Sequence, residues 1–149
     1  MKVSIYSREA IVKLIKNDFP DNVAVISFYD PKSKYSVYDT PVDYSSVTDR
    51  VFYVCIPDLD ITALEDVGLT FDTYFTQADN LAEFIYNAKN EGLDIICQCD
   101  YGESRSAGCA AAILEHFYKT GISVFADYKY YPNQVVFNKI LEALKKYKQ

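Results

Sequence analysis

The stretch "LDIICQCDYGESRSAGCAAAILEHFY", residues 93–118, joins an apolar run, a short polar loop and a helix-forming run without interruption. Residues 93–98 are apolar enough for a buried strand, and residues 107–120 have the composition of a helix. Between the two runs stand Cys99, Gly102 and Arg105, and this arginine is one of only three in the chain. The pattern predicts that a strand ends at Cys99 and that the loop after it leads directly into a helix N-terminus.

The rest of the chain repeats this alternation of strand and helix. Apolar and β-branched runs predict further strands at 2–6, 22–29 and 50–56. Further helices are predicted after Ser7 as the N-cap, at helically spaced apolar positions from Phe71 to Ala88, and at 133–148. The alternation predicts an α/β fold with a central, mostly parallel sheet of about four to five strands, flanked by helices. Because the sequence contains no recognisable interdomain linker or internal repeat, residues 1–149 are predicted to form a single domain.

One segment does not fit the alternation. Residues 30–49 carry proline, serine, aspartate and tyrosine without a clear period, which predicts a long loop. Such a loop is either a variable surface excursion or a substrate-recognition loop.

Composition and charge disfavour several classes of partner. Half of the residues are hydrophobic and 24% are charged, as in an ordinary soluble domain. A net charge of −6 disfavours binding to nucleic acid and to anionic membranes. The opening residues lack the apolar core of a signal peptide, and no segment is long enough to span a bilayer, so a cytoplasmic location is predicted. No feature of the sequence indicates an oligomeric state.

The four cysteines are predicted to be free thiols rather than disulfides, because disulfides are rare in the cytoplasm, where this chain is predicted to lie. Their spacing lacks the pairs that structural zinc sites use, so no metal and no cofactor are predicted. Cys55 and Cys97 lie in apolar runs and are interpreted as small core residues. Cys109 falls on the predicted helix and is interpreted as helix core.

The loop after Cys99 has the chemistry of an oxyanion site. Ligands of open α/β sheets bind at the carboxyl ends of the strands, and backbone N–H groups at a helix N-terminus attract anions. Arg105 adds a planar fork that matches two phosphate oxygens, and its charge favours the thiolate form of Cys99. Ser106 is placed to hydrogen-bond the sulfur. These residue types indicate attack of a thiolate on a phosphate monoester, through a cysteinyl-phosphate intermediate.

The motif "CDYGESRS" (99–106) also resembles the signature loop of the cysteine-dependent protein tyrosine phosphatases. The likeness is greatest to their compact dual-specificity branch and its small bacterial members. "VCIPDLD" (54–60), "FDTYFTQADNLAEFIYNA" (71–88) and "YYPNQVVFNKIL" (130–141) resemble other elements of that branch. The resemblance covers roughly residues 50 to 145, and it implies a metal-independent phosphatase that acts on phosphorylated proteins or small phosphomonoesters.

The resemblance implies a role for each residue of the loop. Cys99 is the implied nucleophile, Arg105 the phosphate clamp and Ser106 the aid to departure of the sulfur. The implied backbone cradle for the phosphate consists of Asp100, Tyr101, Gly102, Glu103 and Ser104.

The general acid is implied to be an aspartate of the "IPDLD" segment. Asp60 matches best, since an isoleucine–proline pair often precedes the family's aspartate. Its separation of 39 positions from Cys99 exceeds that of the compact members. Asp58 and Asp66 therefore stay open as alternatives.

Three residues depart from the family pattern. Gln98 stands where the family usually has a histidine, and Asp100 and Glu103 make the loop unusually acidic. These departures leave open a second hypothesis, a catalytically weak or inactive module that binds phosphorylated ligands. A third is thiol chemistry on another oxyanion, such as arsenate reduction. The single histidine, His116, lies too far along the predicted helix to serve Cys99 and is interpreted as a helix-surface residue.

Overall fold

The computed structural model describes residues 1–34, 38 and 40–147. Its centre is a four-stranded, fully parallel sheet with the strand order β1-β4-β2-β3. The strands are β1 (Val3–Tyr6), β2 (Val23–Tyr29), β3 (Val51–Cys55) and β4 (Asp94–Gln98). All four lie where the sequence predicts them, and the predicted α/β class with a mostly parallel sheet is confirmed.

Helices cover both faces of the sheet. They are α1 (Arg8–Lys16), α2 (Ile61–Asp66), α3 (Phe71–Tyr74), α4 (Ala78–Asn90), α5 (Arg105–Tyr118), α6 (Ile122–Phe125) and α7 (Gln134–Tyr147). Side chains alternate along β2, so that Ala24, Ile26 and Phe28 join the core shared with α4, α5 and α7. Val23 and Val25 face the opposite way and join a second core beside α1. Burial on both faces explains why β2 reads as a continuous apolar run.

The N-cap predicted for the first helix is present. The Ser7 side chain accepts a hydrogen bond from the backbone N–H of Ala10, at 3.1 Å. This bond satisfies one of the free N–H groups at the start of α1 and fixes the turn that follows β1.

Two helices differ from their predicted bounds. The apolar period from Phe71 to Ala88 spans two helices, because the chain is extended at Phe75, where its ring packs edge-on against Phe28. α5 ends at Tyr118 rather than near Gly121, and Lys119 takes the left-handed conformation (φ 59°) instead. Gly121 lies so close to α5 that a Cβ there would stand 2.7 Å from the carbonyl oxygen of Ala111. The short helices α2 and α6 were not predicted.

The long 30–49 segment is partly built into the core. Val42 and Tyr44 are buried, with 5% and 0% of their surface exposed. Residues 35–37 and 39 of this segment lie outside the described residues. The buried side chains of Val42 and Tyr44 pack in the same core as Val23 and Val25 of β2. The end of the segment is therefore part of the core rather than a surface loop.

The cysteines are free thiols, and three of the four are buried. Cys97 and Cys109 lie in the core as predicted, but the prediction for Cys55 is wrong, because this residue is exposed. Cys55 ends β3, the edge strand, which has no neighbouring strand on its outer side among the described residues. Within the described ranges, no helix is long and apolar enough to cross a membrane.

Candidate active site

Four loops meet at the carboxyl edge of the sheet, because parallel strands all end there. They follow Tyr6, Tyr29, Cys55 and Gln98, the last residues of the four strands. The central strand β4 supplies the loop from 99 to 104, which leads into α5. The candidate site is therefore surrounded by the start of α1 and by the segments that follow β2 and β3.

The 99–104 loop is held by its backbone. Gly102 has φ 69°, and a Cβ there would lie 2.6 Å from the backbone nitrogen of Ser7, so only glycine fits. The backbone N–H of Arg8 donates to the carbonyl oxygen of Asp100 at 3.0 Å. On the other side, the N–H of Tyr131 donates to the carbonyl oxygen of Glu103 at 2.8 Å. These contacts fix the loop between α1 and the segment before α7.

Cys99 lies at the base of this loop, with 2% of its surface exposed. Its Sγ is 3.0 Å from the Oγ of Ser106, which is fully buried in the first turn of α5. A hydroxyl at this distance can donate to a thiolate, and such a hydrogen bond stabilises a sulfur that carries charge. The loop thus brings together Cys99 and Ser106, two of the site residues that the sequence predicts.

The guanidinium of Arg105 is held in place by hydrogen bonds from one of its nitrogens, Nη1. Its Nη1 donates to Asp30 Oδ1 and to the carbonyl oxygen of Ile56, each at 2.7 Å. Only 4% of its side chain is exposed, and its Nε has no hydrogen-bond partner among the described residues. A buried donor without an acceptor is costly, so this atom is a donor suited to an incoming oxyanion.

Asp100 places a second carboxylate beside the same guanidinium. Its Oδ2 is 3.8 Å from Arg105 Nη2, and its side chain is 8% exposed. Burial raises the pKa of Asp100 above its usual value, and the neighbouring Asp30 carboxyl raises it further, while Arg105 and Arg8 act in the opposite direction. Asp100 is therefore more than a source of backbone N–H groups, which is the role that the resemblance implies for it.

Among the candidate acids, Asp58 contacts the loop directly. Its Oδ1 accepts from Ser104 Oγ at 2.7 Å and from Asn133 Nδ2 at 2.9 Å. Ser104 is the N-cap residue of α5, but its hydroxyl makes no cap hydrogen bond to that helix. The first N–H groups of α5 are thus left for another acceptor.

Asp60 and Asp66 are placed differently. Asp60 is the N-cap of α2, where its Oδ1 accepts from the hydroxyl of Thr62 at 2.7 Å and from the N–H of Ala63 at 2.8 Å. These hydrogen bonds, with that of Thr62 the larger, hold the pKa of Asp60 below its usual value. Asp66 is exposed at the last residue of α2.

A surface cavity of ≈ 580 Å³ opens beside the loop, on the side of Asp58. Its lining includes Asp58, Asp60 and Ser104, together with Phe71 and Tyr131. The cavity is large enough for an aromatic ring, and Asp58 in its lining contacts Ser104 of the loop.

Comparisons with known proteins bear on this geometry. Neither a protein-family model nor a curated protein matches the sequence. Solved structures do match: the crystal structure of PTPMT1 has a TM-score of 0.56 at 14% identity, over 99% of this chain and 92% of that chain. The human tyrosine phosphatase-like serine/threonine/tyrosine-interacting protein has a TM-score of 0.57 at 15% identity, over 96% and 87% of the two chains. The PTP-2 phosphatase of Cydia pomonella has 0.55 at 16% identity, over 95% and 85%.

The fold is that of the cysteine-dependent phosphatases. It agrees with the resemblance that the "CDYGESRS" loop carries in the sequence. At these identities the likeness establishes the phosphatase fold and leaves the chemistry to the residues of this chain.

In this phosphatase fold, Gln98 is a buried, neutral acceptor directly before the cysteine. Its Oε1 accepts from Ser27 Oγ at 2.6 Å and from the Tyr44 hydroxyl at 2.7 Å. Two hydroxyls satisfy the amide oxygen, so Gln98 ties β4 to β2 and to the 30–49 segment. The contact between Tyr44 and Gln98 explains why part of that long segment is buried.

The two remaining predicted loop residues lie at the rim. Tyr101 is 76% exposed, and Glu103 is exposed as well. Their side chains therefore face solvent at the mouth of the site, while their backbone belongs to the loop. A charge at Glu103 is placed to meet an approaching anion.

Two further residues with reactive side chains, His116 and Cys109, contact other partners. His116 is half-buried and in hydrogen-bond contact with the Tyr86 hydroxyl at 2.6 Å, within a cluster of aromatic rings. Cys109 is fully buried, and its Sγ is 3.6 Å from Cys97 Sγ. Burial raises the pKa of Cys109 well above its usual value, which disfavours its thiolate form. The described residues include no cluster of three or more His, Cys, Asp or Glu side chains that could hold a metal.

Sequence reasoning missed Asp30 as a site residue. It directly follows β2, and in a parallel sheet a polar residue at that position lies at the ligand-binding edge. This signal was present in the sequence. The partner that Asp30 contacts, Arg105, was not deducible from it.

Proposed function

We propose that this protein is a metal-independent phosphomonoesterase of the protein tyrosine or dual-specificity phosphatase type. The observation that carries the proposal is the arrangement around Cys99, with Ser106 Oγ at 3.0 Å and the Arg105 guanidinium fixed behind the loop. One short segment carries a thiol nucleophile, a fixed cation and a buried donor, Arg105 Nε, that has no partner among the described residues, and phosphoryl transfer to a thiolate uses all three.

In the proposed reaction, the Cys99 thiolate attacks phosphorus and the bond to the ester oxygen breaks. Arg105 Nε and the N–H groups of the 99–104 loop stabilise the charge on the equatorial oxygens in the transition state. Water then attacks the cysteinyl phosphate, and the sulfur leaves as a thiolate that accepts a hydrogen bond from Ser106. Inorganic phosphate and the free thiolate are the products of this second step.

The leaving oxygen needs a proton, and we assign this donor role to Asp58. The resemblance favours Asp60, but Asp58 contacts Ser104 of the loop, whereas Asp60 caps α2. The hydrogen bonds that Asp60 accepts from Thr62 and Ala63 at the start of α2 also favour its ionised form. In the second step, the Asp58 carboxylate accepts a proton from the attacking water.

The substrate class follows from the depth of the nucleophile. Cys99 is 2% exposed, so a phosphate must reach it through the rim that Tyr101 and Glu103 form. Phosphotyrosine carries its phosphate at the end of a rigid ring, and the adjoining cavity of ≈ 580 Å³ is bounded by Phe71 and Tyr131. Phosphorylated proteins, with phosphotyrosine foremost, are the proposed substrates.

A second candidate function is a binding module that holds phosphorylated ligands without turnover. The observation in its favour is Asp100, whose buried carboxylate stands beside the phosphate clamp. One of the similar structures is itself named a phosphatase-like interacting protein.

Hydrolysis of an aryl phosphate in the presence of a metal chelator tests the proposal. We expect turnover by the wild type and by Cys55→Ser, a control that alters an exposed thiol at the end of the edge strand. We expect none by Cys99→Ser, which still binds phosphate because the cradle is intact. Binding without turnover in the wild type supports the binding module, and equal turnover by Cys99→Ser contradicts the nucleophile assignment.

A further inference from the structure

Asp100 is the least expected residue of the loop, because it puts an acid where an anionic ligand binds. Its side chain is 8% exposed, and its Oδ1 is buried without a hydrogen-bond partner in the described part of the chain. Its Oδ2 is 3.8 Å from Arg105 Nη2. The carboxyl is therefore directed inward beside the guanidinium, unlike the exposed Glu103 of the same loop.

The Arg105 guanidinium has its nitrogens in three different environments. Nη1 is occupied by Asp30 and by the Ile56 carbonyl, whereas Nε is buried without a partner among the described residues. The third nitrogen, Nη2, faces the carboxylate of Asp100. A planar guanidinium binds two phosphate oxygens with two adjacent nitrogens, so the nitrogens left for substrate are Nε and Nη2.

We propose that Asp100 is a proton-controlled competitor of the substrate for Arg105. This inference rests on the proposed function and adds a regulatory property to that site. The ionised carboxylate pairs with Nη2 and repels an incoming phosphate, and the protonated carboxyl gives up Nη2 and can donate a hydrogen bond to a phosphate oxygen. Binding of a dianion is therefore accompanied by uptake of a proton at Asp100.

The charged groups that face Asp100 come from three neighbouring elements. Asp30, after β2, favours the protonated form of Asp100 through a side-chain hydrogen bond and through charge repulsion, whereas Arg105 of α5 and Arg8 of α1 favour the ionised form. Burial is the largest influence, and together with Asp30 it outweighs the two arginines, so the pKa of Asp100 is raised. A bound dianion adds further negative charge at short range and moves the proton equilibrium in the same direction.

Sulfate binding to Cys99→Ser isolates this effect, since the thiol is gone and sulfate stays a dianion from mildly acidic to neutral pH. Titration calorimetry in two buffers of different ionisation enthalpy measures the protons that the protein takes up on binding. We expect Cys99→Ser to take up a fraction of a proton per sulfate and to bind more weakly as the pH rises.

The double variant Cys99→Ser/Asp100→Asn removes the titrating group and preserves its shape. We expect it to take up no proton and to bind sulfate about tenfold more tightly at neutral pH, which corresponds to ~1.4 kcal/mol. Cys99→Ser/Asp100→Ser serves as a second variant should the amide disturb the loop. The matched control is Cys99→Ser/Glu103→Gln, which removes the exposed carboxylate of the same loop and keeps the proton uptake.

The outcomes separate this inference from the proposed function. If none of these proteins binds sulfate, the anion cradle is absent, and the proposed function fails together with the competitor. If sulfate binds with the same proton uptake after Asp100→Asn, or if Glu103→Gln is the change that abolishes it, only the competitor is overturned. Loss of uptake confined to the Asp100 variants supports the proposal.

Discussion

The Nη1 atom of Arg105 donates to Asp30 Oδ1 over 2.7 Å, and this ion pair links the residue after β2 to the first residue of α5. Both are side chains at the carboxyl edge of the sheet, and the arginine is almost fully buried. Asp30 thereby sets which nitrogens of Arg105 stay free for a phosphate. The proposed clamp depends on a residue 75 positions away in the sequence.

Asp30→Asn is expected to weaken catalysis through Arg105, although Asp30 itself is not proposed to touch the substrate. A charge-assisted hydrogen bond contributes about 1.5–3 kcal/mol, so we expect kcat/KM on an aryl phosphate to fall by roughly 10- to 100-fold. Asp21→Asn, at an exposed position before β2, is the matched control and should leave kcat/KM unchanged. Wild-type kcat/KM in Asp30→Asn would show that Arg105 is held by the Ile56 carbonyl alone.

Arg105→Lys is expected to be severe, because an ammonium cannot give the bidentate contact or keep both of the Nη1 bonds. The loss of transition-state stabilisation should be about 3 kcal/mol, or roughly 100-fold in kcat/KM. Arg50→Lys, which alters an exposed arginine before β3, is the control. Near-wild-type kcat/KM in Arg105→Lys would indicate a purely structural arginine.

The identity of the general acid is tested by comparing Asp58→Asn with Asp60→Asn. Asparagine is as good an N-cap as aspartate, so Asp60→Asn preserves α2 and removes only the carboxyl. We expect Asp58→Asn to lower turnover by about 10²- to 10⁴-fold on an ester with a poor leaving group, and far less on a good one. The same leaving-group dependence in Asp60→Asn, with Asp58→Asn fully active, would return the role to Asp60.

Substrate preference should respond to the charge at the rim. Glu103 is exposed at the mouth of the loop, and a polyphosphoinositide brings additional phosphates close to it and to Asp100. A PTPMT1 structure contains PI(5)P, but for this chain we expect higher kcat/KM on phosphotyrosine peptides than on phosphoinositides. Glu103→Lys should narrow that difference, and added salt should weaken the effect. A wild-type preference for the phosphoinositide, or no response to the charge reversal, would contradict this prediction.

The sheet and the candidate loop were predictable from the amino-acid sequence, because both depend on local features. The apolar runs coincide with the four strands, of which β2 and β4 are mostly buried, and Cys99, Gly102, Arg105 and Ser106 lie close together on one continuous segment. Ser7 was recognisable as an N-cap for the same reason, since a cap contacts residues of its own helix. The helix bounds were less predictable where a buried ring such as Phe75 interrupts an apolar period.

The distant side chains that complete the site are identified by the packing of the folded chain. Asp58 contacts Ser104 across 46 positions, and Tyr44 contacts Gln98 across 54, so neither pair is marked by any spacing in the sequence. The sequence favoured Asp60 over Asp58 and Asp66 as the acid, whereas the packing sets Asp58 against the loop and Asp60 at a helix cap. Parallel strands bring their loops to one edge whatever the loops contain, but hydrogen-bond partners are selected by distances of about 3 Å, which only the folded chain fixes.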